Sequence, residues 1–171
     1  MEQGTIDVFS SINLTNHSHH QIGKIGEYWA KLILTLYGFE IYTSEVDEKG
    51  IDFVLRFDES KYFDVQVKTF RTDRTHYVFA AKQHAWEALK VNLYMALVRI
   101  DPKNMPPILY FIPSTAWSKE NALLRNREYS KFGKKSKDEW GLNLSAKNFS
   151  LLEEYKIENQ VRYFRKKFFP V

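Results

Sequence analysis

The chain contains no cysteine, which removes disulfides, thiolate metal sites and a cysteine nucleophile from the chemistry available to it. No apolar run approaches the roughly 20 residues that a bilayer-spanning helix requires, so no membrane association is expected. A glycine-rich phosphate loop is also missing, which argues against a P-loop ATPase or a dinucleotide-binding dehydrogenase. The opening MEQGTIDVFSS is acidic and lacks the basic start and apolar segment of a secretory signal, so the expected location is cytoplasmic.

What is present is globular in character. The composition is 44% hydrophobic and 27% charged with 16% aromatic residues, rich enough in apolar side chains for a core and too rich for disorder. A length of 171 residues suits one domain better than two. The expected organisation is a single domain over 1–171: an arm at 1–17, a core at 18–113 and an extension at 114–171.

The net charge of +4 hides an asymmetry. Residues 125–137 carry Arg125, Arg127, Lys131, Lys134, Lys135 and Lys137 against Glu128 alone, and residues 156–167 carry Lys156, Arg162, Arg165, Lys166 and Lys167 against Glu158 alone. The acids gather at 38–64, among them Glu40, Glu45, Asp47, Glu48, Asp52, Asp58, Glu59 and Asp64. An acidic centre with basic flanks suits a metal site beside a phosphate-binding surface. Two solvated basic faces are an equally good reading of charge alone.

Periodicity locates the elements. Ser18 and Gln21 have capping-box spacing, Gly38 offers a left-handed stop, and Ile22, Ile25, Trp29, Leu32, Ile33 and Leu36 recur at helical steps, so a helix is expected over 19–37 with those residues inward. His17, His19 and His20 lack the i, i+4 spacing of a helical metal pair and read as exposed imidazoles at the helix entry. Strands are expected at 39–43, 51–57, 62–70 and 77–80, with Asp58, Glu59 and Ser60 as a hairpin loop. A short helix at 82–90 carries Trp86 and Leu89 inward. Buried strands follow at 93–100 and 108–112, then a helix from Ser114 to about Leu124, a mobile basic loop at 125–139, a strand at 140–144 and one or two C-terminal helices. In the tail, Tyr163, Phe164, Phe168 and Phe169 read as core packing in preference to a docking surface.

The stretch Gly50–Lys68 concentrates the chemistry. Asp52 interrupts an apolar strand, where an unpaired charge is costly, and Asp64, Gln66 and Lys68 alternate with Phe63, Val65 and Val67, so one strand face carries all three polar groups. Phosphodiester hydrolysis needs a Lewis acid, a positioned water and charge compensation. Asp52 and the amide oxygen of Gln66 are hard oxygen donors of the kind Mg²⁺ takes, and Lys68 can orient or deprotonate a water and counter negative charge. Asp64 can serve as a substitute ligand or as plain surface. Glu27 sits on the first helix between Gly23 and Ala30, small neighbours that leave its carboxylate room to reach across a strand end.

The helical GEYWAK around Glu27, the GID of residues 50–52 and the QVK of residues 66–68 together resemble the PD-(D/E)xK nuclease superfamily, in particular its Holliday-junction-resolvase-like branch. The resemblance spans about residues 18–70. It implies a restriction-endonuclease-like fold, an α/β mixed sheet flanked by helices with an αβββαβ core and a C-terminal helical extension. It further implies Asp52 as central metal ligand, Gln66 as second ligand, Lys68 as catalytic lysine and Glu27 as an extra acid from the first helix. The implied cofactor is Mg²⁺ (or Mn²⁺) and the implied substrate is DNA, branched forms included. Resolvase-like relatives act as dimers, which makes a homodimer an expectation. Two departures stand out: Ile51 precedes Asp52 where proline is usual, and Gln66 replaces an acid. The second keeps open a binding module that retains the fold without cleaving. Arg71, Lys134, Lys135, Lys137, Arg165 and Lys166 are the expected nucleic-acid contacts.

Overall fold

The structure is a computed structural model that describes residues 12–43 and 49–168. The N-terminal residues 1–11, the acids at 45, 47 and 48, and Phe169 lie outside the described residues, as do the side chains of Arg165 and Phe168.

Helix α1 (His19–Leu36) begins at a complete capping box: Ser18 Oγ accepts from the Gln21 amide at 3.2 Å, and Gln21 Oε1 accepts from the Ser18 amide at 2.8 Å. These bonds satisfy two amides that the first helical turn leaves without partners. Gly38 then adopts φ +88°, a left-handed conformation that reverses the chain after the last turn. The buried residues of α1 are Ile22, Gly26, Ala30 and Leu34, with Ile25, Trp29 and Ile33 partly buried. Leu32 and Leu36, expected inward, face solvent at 51% and 73% exposure. The apolar stripe is broad enough to permit several rotations, and the close approach at Gly26 selects one: a Cβ there would lie 1.9 Å from Thr69 Oγ1.

Strands β1 (Glu40–Tyr42), β2 (Phe53–Arg56), β3 (Tyr62–Arg71), β5 (Leu93–Ile100) and β6 (Ile108–Pro113) form a mixed sheet in the order β1-β2-β3-β5-β6. Only the β3–β5 pairing is parallel, with Gln66 opposite Met95 and Lys68 opposite Leu97. A second, three-stranded antiparallel sheet has the order β4-β8-β7, from β4 (Tyr77–Ala81), β7 (Leu124–Arg127) and β8 (Glu139–Asn143).

The interior strand β5 is buried along almost its whole length because each face supports a separate core. Tyr94, Ala96, Val98 and Ile100 meet α1 and helix α2 (Ile157–Phe168), which contributes Ile157, Val161 and Phe164. Leu93, Met95 and Leu97 meet the small sheet through Ala80, Leu124 and Leu142, together with Trp86 and Trp117. The order of layers is helices, mixed sheet, small sheet.

Several expectations are corrected here. Residues 82–90 contain a single 3₁₀ turn at His84–Trp86 in place of a helix, and His84 enters it at φ +52°, outside the right-handed region a helix requires. Trp86 still anchors inward, edge-on to Trp117 at 5.8 Å. The β3–β5 crossover therefore carries β4 and a 3₁₀ turn where the αβββαβ pattern has a helix. After Ser114 the chain makes a 3₁₀ turn at Ser114–Ser118 and turns extended at Lys119. Asn121 Oδ1 then accepts from the amides of Leu123 and Leu124, both at 2.8 Å, and launches β7. Residues 125–139, expected as a loop, hold β7 and a 3₁₀ turn at Ser130–Phe132 whose Ser130 is fastened by the Asp138 carboxylate. Residues 146–155 are 3₁₀, with α2 following as the C-terminal helix.

Candidate active site

The β2–β3 ladder ends at the pair Phe53 and Val65. Immediately before it, the Asp52 amide donates to the Val65 carbonyl at 2.9 Å, and Asp52 Oδ2 accepts from the Val67 amide at 2.5 Å. The carboxylate thus takes an amide of β3 that a continued β2 would have bonded through its backbone. Val67 separates Gln66 from Lys68, so this bond fixes Asp52 beside both.

Gln66 and Lys68 project from the β3 face opposite α1 into a cleft of about 320 Å³ that is also lined by Lys49, Gly50, Phe79, Ala81, Gln83, His84 and Trp86. Gly50 turns at φ +69°, and a Cβ there would stand 3.2 Å from Gln66 Nε2, so glycine serves both the turn and the seating of the amide. Gln66 Oε1 is buried and has no hydrogen-bond partner. Burial pushes the Lys68 ammonium below its ordinary value, and the nearby Asp52 carboxylate offsets part of that shift.

Neither Asp52 nor Glu27 is among the residues lining this cleft. The Glu27 side chain, 16% exposed, has its carboxylate held by Lys24 at 2.5 Å and Lys31 at 2.7 Å. Burial raises its pKa, but the hydrogen bonds and charges of the two lysines prevail and keep it below the usual value. Glu27 is also the main reason that Lys24 is raised, with a smaller contribution from Asp52. Helix α1 packs across the other side of β3, with Gly26 against Thr69. Asp52 thus stands beside Gln66 and Lys68, and Glu27, ionised, is paired with two lysines of its own helix. Among the described residues no group of three or more His, Cys, Asp or Glu is placed to hold a metal ion.

The expected nucleic-acid contacts divide sharply. Arg71 is 6% exposed and fully engaged: its guanidinium donates to the Leu14 carbonyl at 2.6 Å and to both carboxylate oxygens of Asp73 at 3.0 and 2.7 Å. It ties the segment before α1 to the end of β3, which corrects the expectation that it meets phosphate. Lys134, Lys135 and Lys166 are exposed. Lys137 Nζ donates to Gln83 Oε1 at 2.6 Å, which carries the basic segment to the cleft rim. Gln83, His84, Lys49 and Phe79 were not singled out in sequence. Lys49 had the one available signal, its adjacency to GID.

No family model matches the sequence, and no protein of curated function does. Among solved structures the chain is similar to the Holliday junction resolvase Hjc of Archaeoglobus fulgidus, at 14% identity and a TM-score of 0.51, over 82% of this chain and 95% of that one. The similarity, with the mixed sheet flanked by helices, shows a restriction-endonuclease-like fold. Among the described residues no helix is long and apolar enough to cross a membrane.

Proposed function

We propose that this chain is a divalent-metal-dependent endonuclease acting on DNA. The observation that carries the reading is that Gln66 and Lys68 line one cleft, that the Asp52 carboxylate is fastened to the Val67 amide between them, and that the buried Gln66 amide oxygen has no partner. An orphaned buried acceptor is costly, and a hard cation is a partner it suits. Together with the Asp52 carboxylate it makes a donor set that fits Mg²⁺ or Mn²⁺, whose remaining positions belong to water and phosphate oxygens.

The ion, when bound, supplies Lewis-acid polarisation of the phosphate and a more acidic water. Asp52 anchors the site through the Val67 amide. In its ammonium form Lys68 would hold positive charge beside the scissile phosphate, and in the neutral amine form that burial favours it would accept a proton from the attacking water and become the ammonium. Lys137 and Gln83 at the rim suit the flanking phosphates. Branched DNA as substrate, Mg²⁺ or Mn²⁺ as cofactor, a homodimeric assembly and a cytoplasmic location belong to this same reading.

A second reading, a DNA-binding module without cleavage, is favoured by one observation: Glu27, the only helical acid in the motif, is already compensated by two lysines. Incubation of supercoiled plasmid and four-way junctions with Mg²⁺ or Mn²⁺ separates the two. The nuclease reading expects cleavage that is lost in Asp52→Asn, and the binding module expects retention on DNA with no product.

A further inference from the structure

The small sheet keeps its inner face for the core, through Val78, Ala80, Leu124, Trp140 and Leu142. Its outer face departs from the polar surface that an antiparallel sheet ordinarily shows to water. Register places Phe79, Gly141 and Arg125 in one row across the three strands, and Ala81, Glu139 and Arg127 in the next. Gly141 leaves a bare patch in the middle. The Tyr77 ring fills it, since a Cβ on Gly141 would lie 1.8 Å from Tyr77 Oη.

Tyr77 is locked flat in that position. Its hydroxyl donates to Glu139 Oε1 at 2.6 Å, and the Arg127 guanidinium covers its ring at 4.4 Å. Phe79 stacks beside it, with centroids 6.4 Å apart and planes 29° from parallel, and remains 46% exposed. Glu139, the one acid in these two rows, is buried and bonded to Tyr77 and Tyr129. The face offers aromatic rings and arginines without an exposed carboxylate among them. Phe79 and Ala81 also line the cleft that holds Gln66 and Lys68, so the surface runs into the candidate site without a break.

We propose that Phe79, Arg125 and the Arg127 guanidinium seated on Tyr77 form a platform on which unpaired DNA nucleotides stack as they enter the cleft. Planar rings bind any base through its π-face, and arginines add stacking and phosphate contact; a paired duplex keeps its base faces hidden. An acidic peptide would use the arginines but gain little from a flat aromatic pair. The substrate class that follows is duplex DNA with a single-stranded segment beside the scissile phosphate. The cleavage position rests on the nuclease reading above, whereas the binding does not.

The test is fluorescence anisotropy in EDTA with the full chain, comparing a labelled duplex bearing a single-stranded DNA overhang, the blunt duplex and a duplex with an RNA overhang. The wild type is expected to bind the DNA overhang more tightly than the other two. Phe79→Leu and Arg125→Ala should each weaken overhang binding by about ten-fold and blunt-duplex binding far less, and Phe79→Trp should retain the preference. Unchanged melting temperature excludes misfolding. Equal binding of overhang and blunt duplex by the wild type, equal losses on both, a Phe79→Leu protein as tight as wild type, or preference for the RNA overhang each overturns the proposal. Because EDTA stops metal-dependent cleavage, a chain that never cuts DNA leaves this result standing, and a chain that cuts without overhang preference refutes the platform alone.

Discussion

The carboxylate of Asp52 accepts the backbone amide of Val67 at 2.5 Å, and that amide lies between Gln66 and Lys68 on the edge where β2 leaves β3. One side chain thus continues the sheet and supplies the site's charge. The two roles separate by substitution. Asp52→Asn retains an acceptor for Val67, whereas Asp52→Ala leaves the amide without one. Chemical denaturation should find the alanine variant less stable than the asparagine variant by about 1–3 kcal/mol, with cleavage lost in both.

Lys68 is pushed down from its ordinary value of 10.5, chiefly by burial. Between the lowered value and 10.5 the unfolded chain binds more protons at this site than the folded one, so the site's contribution to stability rises with pH across that window. Lys68→Met should therefore melt higher than wild type near neutral pH, with a gain that shrinks as pH approaches 10.5. Asp52→Asn, which removes the offsetting charge, should lower the Lys68 titration further. Thermal melts across pH and NMR titration of the lysine side chain check both.

Arg71 looked in sequence like a phosphate contact and is a buried tie between Leu14 and Asp73. Arg71→Ala should cost about 2–3 kcal/mol in denaturant unfolding, the scale of a buried hydrogen bond to a charged group. DNA affinity of the protein that remains folded should stay at the wild-type level in a salt titration.

Gly26 meets Thr69 too closely for a Cβ. Gly26→Ala gains up to about 1 kcal/mol of helix propensity and loses about 1–3 kcal/mol to overpacking, so it should destabilise. In a Thr69→Ala background the clash with Oγ1 is gone and only the 2.9 Å approach to Thr69 Cβ remains. The loss should then shrink, and a double-mutant cycle reads the difference as coupling.

The sequence made legible what depends on local repetition. The capping box at Ser18 and Gln21, the bounds of β5 and the alternation that puts Gln66 and Lys68 on one face followed from spacing alone. The rotation of α1 was not legible, because it is set by the contact of Gly26 with Thr69, which no periodicity encodes. The second sheet was hidden for a similar reason: β7 is LRNR, polar at three of four positions, and becomes a strand only by pairing with β8. The pairing of Glu27 with Lys24 and Lys31 was not legible either, because helical spacing identifies a face and says nothing of which side chains close on a carboxylate. His84 and Gln83 reach the cleft through a 3₁₀ turn that read as a helix.

The central claim is that Asp52, Gln66 and Lys68 form one metal-assisted hydrolytic site. The most direct measurement is Mg²⁺-dependent cleavage of plasmid and branched DNA by wild type, Asp52→Asn, Gln66→Leu and Lys68→Met, each first shown to be folded by circular dichroism. The account predicts cleavage by the wild type and its loss in all three variants. Cleavage by the variants at the wild-type rate, or no cleavage by a folded wild type with either Mg²⁺ or Mn²⁺, would contradict it.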